Sequence, residues 1–503
     1  MARHSEESVS DGNSCLTASP GYDIKPRRLG VGVVFLFSPV LNPFQPSDLP
    51  ETFNVSSRES VMRFLRGVFI CVSLVLLLCW GLLDRAVAQT MIIDNPLRLP
   101  FSGFASSMVV AGDLDGDGVS DYLVGAYDQH VKLNEHQGRA FVFSGKSGKL
   151  LMTIEDPVPM PYAAFGFSVA AAGDVNKDGT PDLLIGAFGQ EGSGEAFVFS
   201  GKDGTLLYSL QAPHRQMGAG FGWSVASVGD LNSDGTPELV IGAFAQDGEG
   251  KAFVFDGNTG GLLLTLAPPQ QSGGAAFGWC VAAIGDMNKD GAQEILVSAP
   301  YTTVGNVSVQ GRVYVFNGKD GEPLYILDDP QPLAGEVFGW RLASGGDINK
   351  DGVPDILVGA PYKDVGKNPA QGVAFVFSGA DGKLLLTLND PVPRPYAGFG
   401  YVLHQAPDMN QDGVPEILIG APFQTVDQFH VQGEVFLFNG QDGRHLTTFD
   451  DPYPHQGATF GYSIASPGDV NGDGIPDFAI GASGQIIVDK VAVGRVFVFL
   501  SRK

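Results

Sequence analysis

The stretch A-G-D-V-N-K-D-G-T-P-D-L-L-I-G-A-F, residues 172–188, decides the fold. At its centre lies a nine-residue loop from Asp174 to Asp182, with oxygen-bearing side chains at positions 1, 3, 5 and 9 and a glycine at position 6. The apolar runs on either side are short and rich in Val, Leu, Ile and Ala, which reads as strand, loop, strand. The loop opens again at Asp113, Asp230, Asp286, Asp347, Asp408 and Asp469, at intervals of 61, 56, 56, 61, 61 and 61 residues. Self-similarity at a fixed period of this size marks a repeat architecture.

The four side-chain positions are Asp113, Asp115, Asp117 and Asp121 in the first loop and Asp174, Asn176, Asp178 and Asp182 in the second. The third and fourth carry Asp230, Asn232, Asp234, Glu238 and Asp286, Asn288, Asp290, Glu294. The last three carry Asp347, Asn349, Asp351, Asp355, then Asp408, Asn410, Asp412, Glu416, then Asp469, Asn471, Asp473, Asp477. A hard cation needs six to eight oxygens, and positions 1, 3 and 5, the carbonyl of 7 and the acid at 9 supply them around a glycine turn. An EF-hand would close with Glu at position 12 between two helices; position 12 of the first loop is Val124, and the flanks are strands. The expectation is a β-loop-β calcium hairpin in each repeat, with up to seven Ca2+ ions. Turns held by Asp and Asn without a metal are the alternative. They do not require acid or amide at all four positions in all seven copies.

Charge supports that reading. Residues 1–88 balance 8 basic against 8 acidic residues, and the rest holds 23 basic and 47 acidic, of which 22 lie at the loop positions. Seven divalent ions would take the formal charge from -24 to -10. A phosphate backbone would be repelled, so no nucleic-acid partner is expected.

Residues 62–88 read as a secretory signal: Arg63 and Arg66, an apolar run over 68–83, then Ala86-Val87-Ala88 before Gln89. The run is short for a membrane span, so the mature chain is expected to have none and to be secreted. Residues 1–61 carry no repeat and are expected to be a mis-assigned start or a disordered extension, with Met62 as initiator and residues 89–503 as the exported protein. Of four cysteines only Cys280 lies beyond the signal, which leaves no internal disulfide. Calcium would then do the stapling, since metal binding is folding free energy.

Each unit reads as four strands. In the second, strand A is F-G-F-S-V-A-A-A-G-D, strand B is D-L-L-I-G-A-F, strand C is E-A-F-V-F-S-G and strand D is L-L-Y-S-L. The fold class is all-β: a seven-bladed propeller of four-stranded antiparallel blades, with a solenoid as runner-up. The chain ends at strand C of its seventh unit, while T-M-I-I-D-N-P from Thr90 matches a strand D. This N-terminal strand is expected to complete the last blade and close the ring.

F-G pairs open six units (Phe165-Gly166 to Phe460-Gly461), and G-A-P stands at Gly359 and Gly420. With these motifs the chain resembles the FG-GAP repeat family, the seven-bladed propeller of integrin α chains, over about residues 90–500. The resemblance implies calcium loops on a lower face and adhesion or ligand recognition on an upper one. The first unit departs with Gly103-Phe104 in place of F-G, the fourth with Ser298-Ala299-Pro300 and the seventh with Gly481-Ala482-Ser483. Thigh, leg, inserted and membrane-spanning segments of an integrin are absent from the sequence, so receptor signalling is not implied.

Antiparallel order puts the A-B loops and C-D turns at one end and the B-C loops at the other. The five-residue difference in period falls in the B-C loop. Loops that vary on a repeating scaffold are where binding is sought. Tyr127, His130, Tyr301, Tyr362, Phe423, Phe429 and His430, with Asp128 and Lys363, are the candidates for a protein or glycan ligand; capping the blade ends is the equal alternative. Trp223, Trp279 and Trp340 follow the F-G pair and are expected in the core. Cys280 is expected to be a buried structural thiol, and the protein a monomer. No nucleophile elbow, phosphate loop or paired acid and base is present, so the chain is expected not to be an enzyme. A calcium-dependent polysaccharide lyase or hydrolase working in the central channel, and a passive surface-structure component, are the alternatives. FG-GAP propellers also occur appended to a phospholipase catalytic domain, which this sequence lacks.

Overall fold

The computed structural model describes residues 90–270, 273–488 and 491–501, and the side chain of Val488 is outside the description. The expectations for the leader and for residues 1–61 therefore lie outside the described residues. What is described is a ring of seven four-stranded antiparallel sheets. Each expected strand of the second unit is present: Phe165–Gly173, Asp182–Ala187, Glu195–Phe199 and Leu206–Leu210. Strand Thr90–Asp94 pairs with Arg495–Phe499, as the sequence leads one to expect, and completes the seventh blade from the other end of the chain. Among the described residues no helix is long and apolar enough to cross a membrane.

Burial follows strand position. Strand B lies between A and C with both faces covered by neighbouring blades, and every residue of Asp182–Ala187 is buried. A strand covered on both faces reads as a continuous apolar run, which is how D-L-L-I-G-A reads. Strand D lies at the outer edge and is the least buried: in L-L-Y-S-L, Leu206 and Ser209 are exposed and only the last, Leu210, is buried.

The core consists of seven separate clusters, each shared by two adjacent blades. The F-G phenylalanine is the keystone: Phe165 packs on Phe197 and Phe199 of its own blade while its cluster takes Val142 and Ile154 from the preceding one. Its glycine has φ 85, and a Cβ there would stand 2.5 Å from the Arg139 carbonyl oxygen. In the first blade Phe104 takes the phenylalanine's place, packing on Phe141 and Phe143. Ala105 takes the glycine's, with φ 64. The first motif is thus Phe104-Ala105, not Gly103-Phe104; the backbone geometry, rather than the glycine, defines the register.

Candidate functional site

The seven acidic loops lie at one end of the blades together with the C-D turns. The Asp182 carboxylate shows why: the Val175 and Asn176 N–H groups donate to Oδ2 at 3.0 and 3.2 Å, and Gly201 N–H, in the C-D turn, donates to Oδ1 at 3.1 Å. Position 1 shapes the loop, since Asp174 accepts from the N–H groups of Asp178 and Gly179, each at 2.9 Å. Gly179 has φ 88 with nothing within 4 Å of a Cβ, so the backbone conformation alone demands the glycine. Lysines stitch neighbouring loops: Lys177 Nζ donates to the Asp234 carbonyl at 2.9 Å and Lys350 Nζ to the Asp412 carbonyl at 2.7 Å.

These residues fit a cation. In three loops, side-chain oxygens of Asp113, Asp115 and Asp121, of Asp230, Asp234 and Glu238, and of Asp286, Asp290 and Glu294 converge within 4.8 Å of one another. All seven position-9 acids are fully buried, and Glu294 Oε1 has no hydrogen-bond partner. Burial pushes Glu294 up to about 7, with Asp286 and Asp290 adding to the rise. Burial likewise lifts Asp182 to about 6 against the pull of its backbone donors. An ion held among the carboxylates would offset that cost.

The opposite end carries a feature that sequence reasoning missed. The residue after each F-G pair lines the mouth of the central channel, half-buried in every case but the buried Tyr401, and successive rings touch. Centroid distances are 4.4 Å for Phe167–Trp223, 4.6 Å for Trp223–Trp279, 4.9 Å for Trp279–Trp340, 5.5 Å for Trp340–Tyr401 and 5.2 Å for Tyr401–Tyr462. Only the first blade breaks the series, with Ser106. The sequence shows an aromatic at this position in six of seven repeats, but not the positive φ of the preceding residue that turns the strand toward the axis.

The B-C loop candidates divide. Tyr127, Tyr301, Tyr362 and Phe423 stand edge-on against Phe167, Trp279, Trp340 and Tyr401, at 5.2, 5.4, 5.3 and 5.1 Å. Phe188 and Phe244, which the sequence reading did not single out, do the same from the short loops. With the rings they touch, these side chains form one double arc around the channel mouth. His130 packs instead on His136, whose Nδ1 pairs with Asp128. Phe429 joins a local bridge with Val426, and His430 faces Thr425, so neither reaches the arc. Lys363 is buried against Asp329, the Gln331 carbonyl and Glu336, which makes it a fold-holding residue and not a ligand-facing one. Cys280 is buried and free, as expected.

Beneath this face, buried acids end several D strands. Asp390 accepts from Val392 N–H at 2.8 Å through Oδ1, while Oδ2 and the nearby Gln424 Oε1 both lack a donor. Burial raises Asp390 to about 6. The folded group thus binds its proton more tightly than the unfolded one: its contribution is present below about pH 4 and lost as the pH rises through 6. The seventh blade has Asn95 in the matching place, donating to Ser102 Oγ and Gln129 Oε1. Asp390→Asn is expected to raise unfolding free energy at pH 8 by on the order of 1–3 kcal/mol, and to add nothing at pH 4, as urea unfolding at the two pH values would show.

Comparison with known proteins agrees with the geometry. The FG-GAP repeat model matches residues 338–377 and 460–499, and the FG-GAP-like repeat model matches 113–185, 174–241 and 230–297. Integrin alpha-5 of Xenopus laevis is 33% identical over 218 residues, 39% of this chain and 20% of that protein. Phosphatidylinositol-glycan-specific phospholipase D of Bos taurus is 35% identical over 397 residues, 69% of this chain and 47% of that protein. The human protein of that name is 26% identical over 79% of this chain and 56% of its own length. The chain thus spans between a fifth and about half of these relatives. The expectation of a non-enzyme is overturned by the two phospholipase D matches, which relate this chain to an enzyme family. A search for catalytic constellations within one set of repeats does not detect that kinship. The matched repeats, the seven closed blades and the integrin alpha relatives together place the chain in the FG-GAP repeat family, as a propeller of the integrin α kind.

Proposed function

We propose that the chain is a secreted, calcium-stabilised ligand-binding module that recognises an extracellular protein or glycan, as in adhesion, on the face opposite its acidic loops. The observation that carries this is the double aromatic arc around the channel mouth. A globular core would hide such rings, yet Trp223, Trp279 and Trp340 remain half-buried. Aromatic anchors around a recess are what binding sites use. The rim adds exposed apolar side chains, including Phe101, Leu133, Tyr162, Met217 and Tyr396, at 59 to 96% exposure. In this reading Ca2+ in the loops holds the blades and does not touch the ligand.

The test is capture from a glycan array and a panel of extracellular-matrix proteins, with the full chain in calcium and with a Trp279→Ala/Trp340→Ala variant. The variant is expected to lose about 10- to 100-fold in affinity for the wild-type ligand while melting as a folded propeller. Equal binding by both forms would move the site elsewhere.

A second reading follows from the phospholipase D alignments, which cover more of this chain than the integrin ones. The propeller would then serve an enzyme acting on phosphatidylinositol-glycans. Release of a phosphatidylinositol-glycan-anchored protein from membranes by the purified chain would favour it.

A further inference from the structure

The arc surrounds a cavity of ≈ 260 Å³, and the charge inside it is peculiar for so acidic a chain. No carboxylate lines it, and its one formal charge is Arg341. The equivalent position of strand A holds Ser107, Ser168, Ser224, Cys280, Val402 and Ser463 in the other blades. Small residues there have a job: Ser107, Ser168 and Ser463 hydroxyls donate to the carbonyls of Gly166, Gly222 and Ala105 of the next blade, each at 2.8 Å. Arg341 gives up that bond; the residue is half-buried, and its side chain has no hydrogen bond or ion pair among the described residues.

An aromatic ring alone is indifferent to ligand charge or favours cations, because ring faces are negative. A guanidinium at the same mouth repels a cation and offers a planar fork of donors to an oxyanion. The aromatic faces remain available for the C–H face of a pyranose, and the Tyr401 and Tyr462 hydroxyls, 3.0 Å apart, supply donors and acceptors for its hydroxyls. We propose that the channel mouth takes an acidic sugar, one pyranose carrying a carboxylate or sulfate, stacked on the tryptophans with its anionic group on Arg341. A single acidic peptide side chain would reach Arg341 but leave most of the ring unfilled. The proposal rests on the binding-module reading and names the ligand chemistry of that same site.

The experiment is a tryptophan-fluorescence titration of the full chain in calcium with D-glucuronate, D-glucose and a hexaglutamate peptide. Glucuronate is expected to saturate at a concentration at least tenfold below glucose, and Arg341→Gln to bring the two sugars level. Arg341→Lys, which keeps the charge and loses the fork, is expected to fall between. The proposal is overturned if glucose and glucuronate titrate alike, if Arg341→Gln keeps the preference, or if hexaglutamate saturates where glucuronate does not. Should glucuronate fail while the Trp279→Ala/Trp340→Ala variant still loses its captured protein or glycan, the module reading stands and the acidic-sugar reading falls.

Discussion

Chelation of divalent ions is expected to lower the melting temperature of residues 89–503 by roughly 20 °C. A ligand that binds only the folded state contributes about 2.7 kcal/mol per site at a hundredfold excess over Kd. Seven sites therefore contribute on the order of 15–20 kcal/mol, and in a domain of this size each kcal/mol moves the melting point by about 1–2 °C. Removal of the ion would leave seven fully buried position-9 acids beside loops that hold two or three further acids each. Glu294, with one oxygen lacking any donor, is the most exposed to this penalty. Calorimetry with and without chelator, and metal analysis giving about seven ions per chain, would check it. An unchanged melting point with no bound ion would mean that the Asp and Asn side chains serve only as turn acceptors, as Asp174 does for Asp178 and Gly179. Asp286→Asn together with Glu294→Gln should remove one ion and a seventh or so of the stabilisation.

The ring and its closure were legible because they depend on pattern: period, alternation and the match of Thr90–Asp94 to the missing strand D. The acidic loops were legible because the same acid and amide positions recur at fixed spacing around a glycine in all seven repeats. The aromatic arc was not, and the reason is geometric. Trp223 sits beside Phe221, and in an ordinary strand both residues of such an F-x-W pair lie on the same face. The positive φ of Gly222 turns the backbone between them, so that Phe221 enters the core fully buried while Trp223 faces the channel. Composition cannot separate those fates. Lys363 was misjudged for the opposite reason: a lysine in a variable loop reads as exposed, and only the fold brings Asp329 and Glu336 around it. Kinship with an enzyme family was touched only through the FG-GAP resemblance, and the expectation went the other way because the repeats carry no catalytic constellation and fold does not fix function.

Deletion of residues 90–94 is expected to abolish the monomeric native state. Five residues register against Arg495–Phe499, from Thr90 opposite Phe499 to Asp94 opposite Arg495. Arg495 fixes the end of the pairing, with Nε 2.6 Å from Asp94 Oδ1 and Nη2 3.2 Å from Oδ2, while its plane lies over Tyr453 and Phe497. Ile93 is buried in the cluster between the seventh and first blades, with Val496, Val498 and Phe141. Full burial of such a side chain contributes about 2–3 kcal/mol, to which the pairing and the Arg495 fork add. Loss of the strand would also leave Arg495–Phe499 as an unpaired edge, a template for another chain. Light scattering after size exclusion should show oligomers or aggregate, and thermal unfolding should lose its cooperative transition. Asp94→Ala, which removes only the fork, should cost about 1–3 kcal/mol and leave a monomer. A synthetic peptide of residues 89–96 should restore the monomer in trans, since a strand can be supplied by edge addition. A monomeric deletion variant with the wild-type melting point would show that the seventh interface holds without its outer strand, and that closure through the two chain ends contributes nothing to stability.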